Sequence, residues 1–155
     1  MLQRVQTIWL FLASTAILSL FFFPYLQIYN LDGSIIALKI TGVQENIGGK
    51  IVQTEGFIAL TIATVILSLI PFLTIFLFKN RKLQIKLCYL SILTILGFSF
   101  WLVQTAKQAL GEVTLQSENY GLGVILPSLS VFFMILALRG IRKDEKLIKS
   151  ADRLR

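Results

Sequence analysis

Histidine does not occur in the 155 residues, and cysteine occurs once, as Cys88. A Cys/His zinc site is therefore not available, and no disulfide can close within one chain. Cys88 reads as a reduced, small packing residue. No serine has a His/Asp partner to activate it, and no glycine-rich segment matches a phosphate-binding loop. Charge is scarce as well: charged residues make up 15% of the chain and hydrophobic ones 55%. That is too little polar surface to cover a water-soluble globule of this size, so one large apolar soluble domain is the weaker reading.

The few charges are absent from four long stretches: Val5 to Leu31, Gly56 to Phe78, Leu87 to Ala106 and Asn119 to Leu138 contain no acidic or basic side chain. At ~20 residues and ~1.5 Å of rise per residue, each is long enough for a helix across a hydrocarbon core ~30 Å thick. The pattern predicts an all-α membrane protein with four transmembrane helices, forming one domain over residues 1–155. A cleaved signal peptide is the competing reading of the first run. That run is longer than the usual signal core and has no clean A-x-A cleavage site, which favours a retained helix. All eight carboxylates fall outside the four runs. A proton-coupled carrier commonly needs an ionisable group at membrane depth, and these runs offer none.

Charge in the flanks sets an expected orientation. Arg4 precedes the first run, and the island KNRKLQIK holds Lys79, Arg81, Lys82 and Lys86 with no acid. The tail from 139 to 155 has seven positive and three negative side chains. Between the first two runs, Lys39 and Lys50 face Asp32, Glu45 and Glu55; between the last two, Lys107 faces Glu112 and Glu118. The positive excess lies on one side of an even-numbered bundle, which by the positive-inside rule predicts a bacterial inner-membrane protein with both termini and the basic island in the cytoplasm. The island is then chiefly a topology anchor. Lys79, Arg81, Lys82 and Lys86, with Arg139, Arg142, Lys143, Lys146 and Lys149 in the tail, are the candidate contacts for acidic protein surfaces or anionic phospholipid head groups. No specific nucleic-acid partner is expected, because opposite charges along the tail can pair locally on a solvated helix.

The outer segments differ from each other. Pro24 lacks a backbone donor and should end the first helix near the interface, where Tyr25 and Tyr29 suit an amphipathic boundary. Residues 27–56 read as an extracytoplasmic cap, a small β-hairpin or sheet with arms at Ile35 to Ile40 and Lys50 to Thr54 around turn residues Glu45 to Gly49. The second outer segment should begin by continuing the third helix, with Lys107 at the interface, before Gly111 permits a break. Ala59 with Ala63, and Ser91, Thr94 and Gly97, read as close-packing strips, and Pro71 and Pro127 as local kinks. Gln6 and Gln104 offer polar contacts near opposite helix ends without specifying a substrate. Glu45, Glu55, Glu112 and Glu118 share the outer side and read as solvated surface, not as a cation site.

The opening MLQRVQTIWLFLAS with FFFP, the central NRKLQIKLCYLSI and the basic tail resemble the DUF4293 family of small bacterial membrane proteins, commonly encountered in the Bacteroidota. Met1, Gln3, Arg4 and Gln6 carry the first local match; Asn80, Arg81, Lys82 and Gln84 carry the second. The resemblance implies a multi-spanning inner-membrane protein and supplies no catalytic residues. The expected function is a non-catalytic accessory or scaffolding subunit of an inner-membrane complex, in envelope biogenesis or protein export, with integral-membrane partners and no cofactor or metal. The alternative is a small transporter or channel component acting as an oligomer.

Overall fold

A computed structural model describes residues 2–29, 35–47, 50–78, 80–110 and 119–153; the side chains of 2–4, 47, 149 and 151–153 fall outside that description. Helix α1 (Leu2–Leu18) continues into a 3₁₀ turn, Ser19–Phe21, and is followed by strands β1 (Leu26–Tyr29), β2 (Ile35–Lys39), β3 (Gly42–Ile47) and β4 (Lys50–Gly56). Helices α2 (Ile58–Phe76), α3 (Arg81–Leu110) and α4 (Ile125–Arg153) complete the chain. Each helix packs against two neighbours in the cyclic order α1, α2, α3, α4.

Sequence period explains the bundle. A buried stripe runs through Gln6, Leu10, Ala13, Ile17 and Leu20 on the first helical segment, and another through Leu60, Thr64, Leu67, Pro71 and Thr74 on α2. On α3 the stripe is Gln84, Cys88, Ser91, Ile95, Phe98 and Leu102, and on α4 Ser130, Met134, Ala137, Ile141 and Asp144, with further buried residues such as Ser14, Ser68 and Leu138 beside the stripes. All four stripes step by four and three, the spacing that lets helices pack side by side with knobs in holes. Hydroxyls on the stripes and beside them reach across helices: Ser14 Oγ donates to the Ser68 carbonyl at 2.8 Å, and Ser130 Oγ donates to the Ala13 carbonyl at 2.8 Å. The outward faces are apolar, with Phe11, Ile66, Leu73, Leu93, Phe100 and Phe132 exposed. Water would leave that surface uncompensated, whereas lipid tails match it.

Among the described residues three helical segments, Ile58–Phe76, Arg81–Leu110 and Leu122–Ile148, are long and apolar enough to cross a membrane. The first apolar stretch is shorter, Val5–Phe21. The expected run to Leu31 breaks at Pro24, beyond which the chain turns into β1. The small-residue strips are also revised. Ala59 is exposed, and a Cβ added at Gly97 would meet nothing within 4 Å, so neither marks a close helix approach. Ser91 is buried and Thr94 half-buried, and both hydroxyls donate to carbonyls of their own helix. Pro71 lies inside α2, but Pro127 sits in the first turn of α4, where a missing N–H leaves no intrahelical bond unmade.

The sheet is antiparallel, in the order β1-β2-β3-β4. Of the hairpin or sheet expected over this segment it is the sheet, and the arm β2 pairs with β3, not with β4. Glu45 to Ile47 belong to β3, where pairing on both sides overrides the weak strand preference of Gln44, Glu45 and Asn46. Between β2 and β3 the chain turns within Ile40 and Thr41, and Gly42 follows at φ +146°, where a Cβ would run into the Glu55 carbonyl. One face of the sheet carries Leu26, Ile36, Leu38 and Val43 into a core shared with Ile17, Leu60, Phe98 and Leu102.

Backbone contacts seat the sheet on the helix ends. Tyr25 N donates to the Leu38 carbonyl at 2.9 Å, and Phe57 N donates to the Thr41 carbonyl at 3.1 Å. Gly121 N reaches the Tyr25 carbonyl at 3.1 Å and Gly123 N the Pro24 carbonyl at 3.0 Å, where any side chain at either glycine would strike the Pro24 backbone.

Candidate functional site

At the end of the bundle away from the sheet, the four buried stripes finish on polar residues: Gln6 from α1, Thr74 from α2, Gln84 from α3 and Asp144 from α4. They are joined in two pairs. Gln6 Nε2 donates to Asp144 Oδ2 at 2.7 Å, and Gln84 Nε2 donates to the Thr74 carbonyl at 3.1 Å. Thr74 Oγ1 in turn donates to the Ile70 carbonyl at 2.7 Å. A carboxylate buried at 7% exposure needs compensation, and Asp144 has two sources. Besides the Gln6 amide, Arg81 Nη1 lies 3.4 Å from Asp144 Oδ2. That nitrogen is itself buried and makes no hydrogen bond among the described residues, so its link to Asp144 is a contact of charges without directed bonding.

Local sequence explains why these groups meet. Asn80 caps α3, its Oδ1 accepting from Leu83 N at 3.2 Å, which fixes Arg81 in the first turn and Gln84 one turn on. On α4, Gly140 stands one turn before Asp144; a Cβ at Gly140 would lie 2.8 Å from Gln6 Cγ. The missing side chain lets Gln6 lie flat against α4 and reach the carboxylate. A hydrogen bond to a charged group contributes ~1.5–3 kcal/mol in water-soluble proteins, while interhelical bonds within membranes average ~0.6 kcal/mol, so we place the Gln6–Asp144 bond between them, at ~1–2 kcal/mol.

A second clamp lies beside the first. The Arg142 guanidinium is 5.1 Å from the centroid of the Tyr89 ring, and Arg142 Nη2 donates to the Tyr89 hydroxyl. This ties α4 to α3 on the exposed flank, while Asp144 ties α4 to α1 and α3 inside. The last part of α4 is thus a continuation of a buried helix, anchored on two sides.

The candidate cations fall into three groups. Arg81 and Arg142 have the intramolecular partners just described. Lys82, Lys86, Arg139, Lys143 and Lys146 are exposed. Lys79 and the Lys149 side chain lie outside the described residues. Arg139, Lys143 and Lys146, with Arg142 and Glu145, border an open groove of about 560 Å³ along α4. Of the outer acids, Glu45 is on β3 and Glu55 on β4, while Glu112 and Glu118 lie outside the described residues. Among the described residues no group of three or more carboxylate or thiol side chains gathers as a metal site. Lys107 is exposed in the last turn of α3 and Gln104 is exposed one turn earlier.

Asp144, Gln84, Thr74 and Gly140 were not singled out as a site from the sequence, although the signal was present. The four-and-three step of α4 runs from Ser130 through Ile141 and lands on Asp144, which marks this acid as the one on the buried face. Gln6 and Gln84 likewise continue the stripes of α1 and α3 past their last apolar positions. Three of the converging residues, Gln6, Arg81 and Gln84, come from the two stretches that carry the family resemblance.

No curated protein matches the chain, and no solved structure matches it. The model of a family described as a domain of unknown function, DUF4293, matches residues 2–154, nearly the full length; the chain belongs to that family.

Proposed function

We propose that the protein is a non-catalytic accessory or scaffolding subunit of a bacterial inner-membrane complex, presenting the basic end of α4 to a partner in the cytoplasm. The observation that carries this reading is the anchoring of α4 beyond its uncharged run, which ends at Leu138. Gln6, Arg81 and Tyr89 hold the helix, and Arg139, Lys143 and Lys146 remain on its exposed surface. A rigid row of cations suits an acidic protein surface, because little ordering is required on binding and opposite charge steers the encounter.

The same reading takes α1 as a fourth span. With its 3₁₀ turn, the segment Leu2–Phe21 is about 31 Å long, close to the ~30 Å of a hydrocarbon core. Arg4, the basic island and the tail then share one end, which by the charge rule is cytoplasmic and leaves the sheet on the envelope side.

The test is quantitative mass spectrometry after mild purification from native membranes, using a tag at endogenous expression level and an unrelated four-helix membrane protein as control. A stoichiometric partner should survive a second purification and be lost from a Lys143→Glu, Lys146→Glu variant that still folds. Recovery of the chain alone, or only as copies of itself, across several gentle extractions would overturn the proposal and leave the oligomeric channel reading to be tested by flux in vesicles.

A further inference from the structure

The face of the sheet turned away from the core has no part in the proposed role of the basic end. Residues opposite each other on paired strands share a face, so Gln27, Ala37 and Gln44 form one row across β1, β2 and β3, and Ile35, Asn46 and Ile51 a second across β2, β3 and β4. The small side chain of Ala37 leaves a hollow between them, of about 250 Å³. The Gln27 and Gln44 backbones stand about 10 Å apart across it, two strand spacings, and Lys39 stands about 7 Å along β2 from Ala37. Phe22 and Pro24, from the end of the first helical segment, complete the wall.

The free face of an antiparallel sheet usually meets water with polar and charged side chains. Here Lys39 is the one charged residue among those that line the hollow, and the strand acids Glu45 and Glu55 lie opposite Ile36 and Val43, on the other face. The Lys39, Gln44 and Asn46 side chains make no hydrogen bond or ion pair among the described residues, and Gln27 Oε1 accepts from the Tyr29 hydroxyl at 3.4 Å. Buried polar atoms without partners occur on Tyr25 and Arg81 and not on these four residues, so their polar groups are open to the hollow. The depth of Lys39 is fixed on both sides. The Leu38 carbonyl accepts from Tyr25 N at 2.9 Å, and the Ile40 carbonyl accepts from Thr61 Oγ1 of α2 at 3.2 Å. Lys39 thus stands where the strands meet the ends of the helices, beside Phe22, which is 77% exposed. A free cation next to an exposed phenyl ring at that level suits an amphiphile with an anionic head.

We infer that this hollow binds the phosphoglycerol head group of one membrane phospholipid, with Lys39 pairing with the phosphodiester and the Gln27 and Gln44 amides meeting the glycerol hydroxyls. A side-chain amide suits a hydroxyl because it donates through nitrogen and accepts through oxygen. A head group that ends in an amine fits less well, since no carboxylate lines the hollow to pair with its ammonium. The inference rests on the reading that the helices cross a membrane, with the sheet outside the hydrocarbon. It adds to that reading a ligand class and a site at the end of the bundle opposite the basic one.

The experiment is native mass spectrometry of the full chain released from nanodiscs that hold equal amounts of phosphatidylglycerol and phosphatidylethanolamine. Wild-type protein should carry one phosphatidylglycerol that Lys39→Gln holds roughly fivefold less well. Ala37→Leu fills the hollow without changing charge and should lose the same lipid. Lys107→Gln removes a cation at the same end of the bundle, in the last turn of α3, and should leave retention as it is. Glycerol 1-phosphate added in excess should not displace the lipid, because it brings no acyl chains to the membrane beside Phe22. Wild-type retention by Lys39→Gln or by Ala37→Leu, an equal loss from Lys107→Gln, a matching loss of phosphatidylethanolamine, or displacement by glycerol 1-phosphate would each overturn the assignment. Failure of the spanning reading is distinguishable, because the protein would then stay in solution without detergent or lipid.

Discussion

The two ends of the bundle are held together by different chemistry. At the sheet end, the contacts that cross between elements are largely backbone to backbone: Tyr25 to Leu38, Phe57 to Thr41, Gly121 to Tyr25 and Gly123 to Pro24. At the basic end they depend on side chains, with Gln6 on Asp144, Gln84 on the Thr74 carbonyl and Arg142 on Tyr89. Backbone contacts tolerate most substitutions and fail only where a new Cβ prevents the approach. Side-chain contacts fail when one functional group is removed. The sheet end is therefore vulnerable at its glycines and the basic end at its polar residues.

That contrast can be broken severely at Gly123. A Cβ there would sit 2.8 Å from the Pro24 carbonyl oxygen and 2.9 Å from that of Phe23, both backbone atoms that cannot swing aside. Gly123→Leu should cost about 3 kcal/mol, read as a fall in melting temperature in detergent, and should separate the sheet from α4. A wild-type melting curve would show that the approach of α4 to Pro24 is not needed.

At the other end, Asp144→Ala should cost about 2 kcal/mol, because it strands the Gln6 amide and removes the charge facing Arg81. Asp144→Asn should cost less, since the amide oxygen still accepts from Gln6. Equal losses from the two variants, measured by thermal melting, would mean that the charge contact matters more than the hydrogen bond.

Gly140 sharpens the comparison, since here the obstacle to a Cβ is a flexible side chain and not backbone. Gly140→Ala gains about 1 kcal/mol of helix propensity and displaces Gln6 from Asp144, so its net effect should be near zero. In a Gln6→Ala background the same change should stabilise by about 1 kcal/mol. Identical effects in the two backgrounds would show that Gln6 does not depend on the gap at Gly140. The smallest effect is expected from Arg142→Lys, about 0.5 kcal/mol, because a lysine keeps the charge near Tyr89 but loses the planar stacking.

Much of the architecture was legible because helix length and apolar period are local properties. The stretches from Gly56, Leu87 and Asn119 became α2, α3 and α4, and Lys107 fell in the added turn of α3. What was not legible depended on partners distant in sequence. Glu45 and Asn46 read as turn residues because their strand preference is weak, and they lie in a strand because β2 and β4 pair on either side of it. The missing β1 follows from Pro24: once the helix ends there, Leu26 to Tyr29 can extend along β2. Asp144 read as one charge among ten in the tail because its neighbours are polar. Its identity as a buried group lies in register, four and three steps beyond Ser130, with Gly140 making room for Gln6, a residue 138 positions before Asp144.

Hydrogen exchange in lipid nanodiscs tests most directly whether the basic end of α4 is held rigid by its polar contacts. With Asp144 in place, amides from Ile141 to Ile148 should be protected well above those at the end of the helix, and Asp144→Ala should remove that protection while amides from Met134 to Leu138 keep theirs. Unchanged protection from Ile141 to Ile148 in Asp144→Ala would contradict the account, since the helix would then hold its place without Gln6 and Arg81.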